Sequence, residues 1–361
     1  MTKTLLPLPL WSLAIPPLAC ALLAALWGGE HGGLMLAVTG AALIASVLVA
    51  VYHAEIIAHR LGEPFGTLVL AMAVTVIEVS LIVSMMLSKG PGVDALARDT
   101  VFATVMIICN GVIGICLLSG SIRHHTIAFR VDGTGSALSV LVALTMLTLV
   151  VPEFTTTTPG PTYSPSQLIF AGLSSLLLYG IFVFVQTVRH RDQFLPVDLP
   201  GNTEESHHPT PLQAGIALAL LFVSLVAVVG LAKLLAPAIQ SGVDAMGAPA
   251  SVVGIAIAMM VLLPETVAAL RAAAANRMQT SLNLALGSAL ATIGLSIPAV
   301  ALVAHLLGTP LTLGLPHKEI VLLAVTLLVS TITLAGGRAT VLQGAVHLVL
   351  FFAFLHLSIV P

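Results

Sequence analysis

Charge is what this chain has least of. Only 8% of its 361 residues are Asp, Glu, Lys or Arg, where an ordinary soluble domain carries about a quarter. Too few charged groups are present to clothe a water-facing surface, and a soluble fold is excluded. There is no basic excess either. Thirteen Lys and Arg against fifteen Asp and Glu leave a net charge of -2, and the basic residues stand singly between apolar runs, which excludes a nucleic-acid footprint. Cysteine is equally sparse: Cys109 and Cys116 lie seven apart in one apolar run and Cys20 lies in another, neither a disulfide framework nor a zinc spacing. No Gly-x-Ser-x-Gly nucleophile element occurs. His53 and His59 flank Glu55 but are six apart, so they do not share a helix face as the i, i+4 pair of a zinc protease does, and an intramembrane enzyme is the weaker alternative. The apolar stretch from Leu5 to Trp27 has only Lys3 ahead of it and no clean small-residue cleavage site, so a first span is expected there and not a removed leader.

What the chain has in abundance is hydrophobic residues, 58% of the total. Apolar runs long enough to cross a bilayer, roughly 20 residues each, fall at 10–27, 33–52, 66–87, 100–119, 136–151 and 166–188, and again at 212–236, 250–270, 282–306, 318–335 and 339–359. The expected fold is all-α and polytopic, with about eleven transmembrane helices in a one-plus-five-plus-five plan. The first helix occupies 1–32, a five-helix stretch 33–188, a linker 189–211 and a second five-helix stretch 212–361. The turn Gly336-Gly337-Arg338 makes the last two spans a tight hairpin. The linker carries Asp192, Asp198, Glu204 and Glu205 beside His207 and His208, and is read as a solvated connection.

Orientation follows from the basic residues. Lys3, Arg60, Arg123, Arg130, Arg189, Arg191, Arg271, Arg277 and Arg338, nine of the thirteen, fall on one side of this plan, which predicts a cytoplasmic amino terminus and linker and an outside carboxyl terminus.

Two carboxylates sit well inside the expected spans, Glu78 in the third and Glu265 in the eighth. An ionised side chain at mid-membrane costs about 2.5–3.5 kcal/mol on insertion scales, so such a residue marks an ion path or proton relay. Their surroundings resemble each other. The runs Gly66 to Glu78 and Gly254 to Glu265 are each Gly-led, contain Ala and Met, and end in Glu. They stand five spans apart, an odd offset, so the two helices enter from opposite faces and an inverted repeat is expected, with the ion site near the midplane on interrupted helices. Pro264 has no N–H, so the backbone carbonyls of Met260 and Val261 lose helical partners one turn before Glu265 and become candidate metal ligands. In the third span Thr75 stands one turn from Glu78 and offers a hydroxyl. The helix after each glutamate adds Asn110 in one case, and Asn283 and Ser288 in the other, as neutral oxygen donors. Pro298 joins Pro264 as a hinge candidate. Glu55, at the inner end of the second span, is a vestibule candidate.

Two carboxylates in one low-dielectric cavity cannot both stay charged and empty cheaply. One Ca²⁺ neutralises the pair, as do two protons or two monovalent cations, and a carrier that crosses its occluded state only when neutral exchanges these against each other. Oxygen ligands without thiolate or imidazole select hard cations. A channel is the alternative, separated from an exchanger by uphill transport.

At these residues the chain resembles the cation/Ca²⁺ antiporter superfamily, and within it the bacterial ChaA-type calcium/proton exchangers. The resemblance rests on the stretch His53 to Gly66, on the run through Glu78, and on Leu263-Pro264-Glu265 continuing through Ser281 to Gly294. It implies eleven helices, with Glu78 and Glu265 binding cation and proton in turn, in a bacterial inner membrane. The partners it implies are lipid, inorganic cations and protons, with no cofactor beyond the transported Ca²⁺, Na⁺ or K⁺ and H⁺. The chain departs from eukaryotic-type members, which carry Gly-Asn three to four residues before each glutamate; here those positions are Val74-Thr75 and Val261-Leu262. Fewer side-chain oxygens leave room for Na⁺/H⁺ or K⁺/H⁺ exchange.

Overall fold

A computed structural model of the protein describes residues 8–29, 32–61, 65–87, 93–195, 209–245, 249 and 251–360. Residues 196–208 of the linker, among them Asp198, Glu204, Glu205, His207 and His208, lie outside the described residues. The described chain is almost wholly helical, as hydrocarbon requires, because a helix satisfies its own backbone N–H and C=O groups. In order the helices are α1 (Leu10–Leu26), α2 (Gly33–Leu61), α3 (Phe65–Met86), α4 (Leu96–Met106), α5 (Ile113–His124), α6 (Val131–Thr145), α7 (Val151–Phe154) and α8 (Pro165–Phe184). Then come α9 (Pro211–Ala245), α10 (Ser251–Val261), α11 (Leu263–Ala274), α12 (Met278–Ala291), α13 (Ile297–Leu307), α14 (His317–Ala335) and α15 (Val341–Ile359).

Among the described residues, eight helices are long and apolar enough to cross a membrane, or nine if the bent pair α10 and α11 is one span. Leu10–Leu26 and Met72–Ser84 are shorter apolar helices. The count by length is thus lower than the expected eleven, and the protein is an integral membrane protein on either count.

Several spans are continuous helices with a π segment inside. Ile107–Val112 joins α4 to α5, Met146–Val150 joins α6 to α7, and Thr292–Ser296 joins α12 to α13. Two of the three have a visible cause. Pro152 and Pro298 each stand at the start of the helix that follows. Each lacks the N–H that would serve the carbonyl four residues back, at Thr148 and Gly294, and both of those residues lie inside the widened turn. The helix meets Pro298, the hinge candidate, by widening its hydrogen-bond pattern.

The chain divides into two compact units, Met1–Gly90 with Gly201–Met246 and Pro91–Pro200 with Gly247–Pro361. Each draws on both halves of the sequence. In the first unit α2 packs against α1, α3 and α9. Helix α1 contains Pro16 and Pro17, and the missing N–H of Pro16 leaves the Ser12 carbonyl without a helical donor. His53, fully buried in α2, fills that place, its Nε2 lying 3.0 Å from Ser12 O. Since a carbonyl only accepts, this nitrogen carries the proton. The Trp11 and Tyr52 rings meet beside it at 4.8 Å. The imidazole that in sequence resembles half of a zinc motif is thus engaged in docking α1.

In the second unit α15 lies along α5, and α10 along α4. Both approaches depend on glycine. A Cβ on Gly344 would come 2.6 Å from Leu118 N, and one on Gly254 would come 2.9 Å from the backbone of Asp99 and Thr100. The turn after α5 and the turn after α14 pair as a two-residue antiparallel ladder, Ile127 with Ala339 and Ala128 with Arg338.

Replacing His53 by Leu removes the donor and strands the Ser12 carbonyl in an apolar surrounding, a loss of about 1–2 kcal/mol. Thermal unfolding of the purified protein in detergent should show a lowered midpoint; an unchanged midpoint would mean that α1 docks through its apolar contacts alone.

Candidate functional site

The residues singled out by sequence lie in both units. In the first, α3 carries Thr75 and Glu78 one turn apart, 7% and 2% exposed, among buried Val74, Ile77, Leu81 and Ile82. The helix has no break from Phe65 to Met86, so its own backbone carbonyls are engaged within the helix and Thr75 can offer only its hydroxyl. Glu55 is half-buried near the end of α2.

In the second unit the surroundings of Glu265 differ. Helix α10 ends at Val261 and α11 begins at Leu263, with a bend of 55° between the arms Ser251–Val261 and Glu265–Ala274. Leu262 joins them, its N–H donating to Ala258 O and its carbonyl accepting from Thr266 N, both at 2.9 Å. Pro264 stands in the first turn of α11; its side chain lies outside the described residues. The break places the half-buried Glu265 in the first turn of a helix, where the positive end of the helix dipole favours a carboxylate. Met260 and Val261 are the last two residues of α10, at the end of a helix where carbonyls run out of helical donors. One side of the break therefore suits an anion and the other a cation.

Asn110 lies at the centre of the unit. It is fully buried in the π segment Ile107–Val112, against which α11, α12, α14 and α15 all pack. Its Nδ2 donates to Thr326 Oγ1 at 2.8 Å, and Thr326 in turn donates to Met106 Sδ at 3.4 Å. Among the described residues no hydrogen bond reaches Asn110 Oδ1. Thr326 was not found from sequence, although a signal was there. Thr326, Ser330 and Thr333 recur at helical spacing in an apolar run and are all buried in α14.

The other polar candidates fare differently. Ser288 is half-buried in α12. Asn283 is engaged at both ends of its amide: Nδ2 donates to Phe194 O at 2.6 Å, and Oδ1 accepts from Gln279 Nε2 at 2.9 Å. Gln279 Oε1 in turn accepts from Arg130 N at 2.7 Å. This chain of bonds ties α12 to the segment after α8 and to the start of α6, and gives each end of the Asn283 amide a protein partner.

A third carboxylate was missed. The expected fourth span began at residue 100, but α4 starts at Leu96 and buries Asp99. Its Oδ1 lies 2.8 Å from both Arg98 Nε and Arg98 Nη2, and Arg98 Nη1 donates to Gly314 O at 3.0 Å. The pair borders a cavity of about 220 Å³ with Ser251, Glu319 and Ser358.

Comparison with known proteins gives a consistent result. The family described as sodium/calcium exchanger protein matches residues 31–188 and 216–360. The protein y4hA of Sinorhizobium fredii is 47% identical over 356 residues, 98% of this chain and 97% of that protein. The sodium-potassium/proton antiporter ChaA of Escherichia coli K12 is 35% identical over 351 residues, 95% of this chain and 94% of that one. Among solved structures, native YfkE has a similar fold, with a TM-score of 0.74 at 17% identity over 97% of this chain and 99% of that one.

If Asn283 is a tie and not a ligand, Asn283→Ala should leave the half-saturating cation concentration unchanged and speed tryptic cleavage after Arg189 or Arg191 a few-fold. Unaltered cleavage together with weakened cation affinity would return Asn283 to the site.

Proposed function

The chain belongs to the sodium/calcium exchanger protein family, and we propose that it works as a secondary active cation/proton antiporter, by alternating access around Glu78 and Glu265. The observation that carries this reading is that each of the two family-matched stretches, 31–188 and 216–360, places one glutamate inside an apolar run, Glu78 in α3 and Glu265 in the first turn of α11. The helix after each, α4 to α5 and α12 to α13, contains a π segment, which supports a repeated design. In the one-plus-five-plus-five plan the glutamates stand five spans apart, an odd offset, so the repeat is inverted; the bias of Lys and Arg toward one side then puts the amino terminus in the cytoplasm and the carboxyl terminus outside a bacterial inner membrane.

The chemistry is charge matching. In the outward or inward open state, water and the cation reach the carboxylates; in the occluded state water is gone, and an unmatched charge is prohibitively expensive. Either a cation or protons must therefore be aboard for the transition, so downhill proton movement drives uphill cation movement. Thr75, Asn110 and the carbonyls of Met260 and Val261 supply neutral oxygens that replace water around the cation without adding charge. Glu55 lines the inner approach. Family and relatives are ion exchangers, and the enzyme alternative is set aside.

The cargo is a hard cation. Ca²⁺ exchange fits the pair of carboxylates, since one divalent ion neutralises both. Exchange of Na⁺ or K⁺ for protons without Ca²⁺ is the second reading, favoured by Val74-Thr75 and Val261-Leu262 standing where eukaryotic-type exchangers carry Gly-Asn, and by the name of the ChaA relative. Proton flux in proteoliposomes with Ca²⁺, Na⁺ and K⁺ offered in parallel separates the two readings.

In that assay Glu78→Gln and Glu265→Gln should each reduce cation-coupled proton flux to background in a folded protein, because the amide keeps the volume and removes the titrating charge. Near wild-type exchange by either variant would sink the assignment. Protons and metal also compete for the same oxygens, so the half-saturating cation concentration should rise as pH falls from about 9 to 6, by up to tenfold per unit for each competing proton. An affinity independent of pH would assign the proton to another group, such as Glu55 or His305.

A further inference from the structure

An asparagine amide is a donor at one end and an acceptor at the other, and only the oxygen can help to hold a cation. Which end Asn110 offers is decided by its neighbours in α14 and α4. Met106 Sδ is an acceptor with no proton to give. It draws the Thr326 hydroxyl proton toward itself at 3.4 Å, which leaves the lone pairs of that hydroxyl facing Asn110. Those lone pairs accept from Nδ2 at 2.8 Å. The amide is thereby fixed with Oδ1 turned the other way, and among the described residues that buried oxygen has no protein donor. A buried acceptor left in this state is costly unless something else meets it.

The surrounding packing supports a fixed orientation. Asn110 lies in a π segment on which four helices converge, including α11, the helix that begins beside Glu265. Gly111 next to it has the Phe351 ring close by, such that a Cβ there would lie at 3.2 Å. The segment has little room to turn, so the amide's direction depends on its hydrogen bonds. Three residues with no charge among them then act as one device, sulfur to hydroxyl to amide, and the device ends in an oxygen.

We propose that Thr326 is a positioning residue for cation binding: held by Met106, it keeps the Asn110 amide with its oxygen presented to the transported hard cation. This rests on the reading of Asn110 as a cation ligand. Without the Thr326 hydroxyl the amide is free to reverse and offer an N–H to a cation, which repels it.

The test uses full-length protein, with the half-saturating Ca²⁺ and Na⁺ concentrations measured both by flux in proteoliposomes and by equilibrium binding, at alkaline pH where protons compete least. Thr326→Val keeps the shape and removes the hydroxyl; half-saturation should rise about tenfold, with the maximal rate at saturating cation within about twofold of wild type. Thr326→Ser should restore the wild-type value. Met106→Leu, which keeps both Thr326 and Asn110 and frees the hydroxyl proton, should shift half-saturation in the same direction by less. In an Asn110→Asp background, where both ends are oxygens, Thr326→Val should have no further effect. A Thr326→Val protein that loses maximal rate but keeps its half-saturation, or a penalty that persists in the Asn110→Asp background, means that Thr326 only packs and overturns the proposal. Should Thr326→Val not fold, unchanged cation affinity in Met106→Leu overturns it instead. A protein that shows these binding shifts but moves no protons would sink antiport and leave the positioning role standing, and intact exchange with none of the shifts would do the reverse.

Discussion

Hydrocarbon does not solvate polar groups, and every feature of this protein answers to that constraint. Backbone amides are satisfied within helices, and where a proline prevents it the shortfall is met from elsewhere. The Ser12 carbonyl released by Pro16 is met by His53. The turns ahead of Pro152 and Pro298 widen into π segments. Beside Pro264 the helix bends by 55° between its two arms, and the bend is where a carboxylate stands. The same residue type thus produces a tie, a widened turn and a split helix, depending on what lies beside it.

Side-chain polarity follows the same logic at higher cost. Asp99 is buried with Arg98 against it, a pair matched within the protein itself. Glu78 and Glu265 sit among mostly apolar neighbours in their own helices, and on the antiport reading cation and proton neutralise them in turn. On that reading, the requirement that an occluded carboxylate be neutralised is what makes a membrane protein with two such groups an exchanger. Neutral oxygens then tune which cation is accepted, and because an amide has one oxygen and one nitrogen, its orientation matters as much as its presence. On the positioning proposal, uncharged groups such as Thr326 and Met106 then bear on cation binding at one remove.

Much of this was legible in the chain. Scarcity of charge and the apolar runs were enough for an all-helical membrane protein, and the isolation of Glu78 and Glu265 in those runs was enough to single them out. Pro264 announced a break and the structure has one. Boundaries were less legible: Asp99 fell one residue outside the expected fourth span, because a helix can begin in a charged turn that hydropathy assigns to the loop. The hydrogen bonding of Asn283 was illegible for a related reason. Sequence shows that an amide lies in a span but not that its two ends are already taken, by Gln279 and by the Phe194 carbonyl.

The sequence by itself determined the solvent in which the protein folds, the class of fold, the family and the two carboxylates around which exchange is proposed, since all of these follow from composition and from residues in a local run. Only the tertiary structure decided what each buried polar atom is bonded to. Asn110 and Thr326 are 216 positions apart, His53 and Ser12 are 41, and no pattern along the chain brings them together. Hydrogen bonds are short and directional, so whether a buried amide is a ligand, a tie or an oriented oxygen depends on which helix lies within about 3 Å of it, and that is a property of packing.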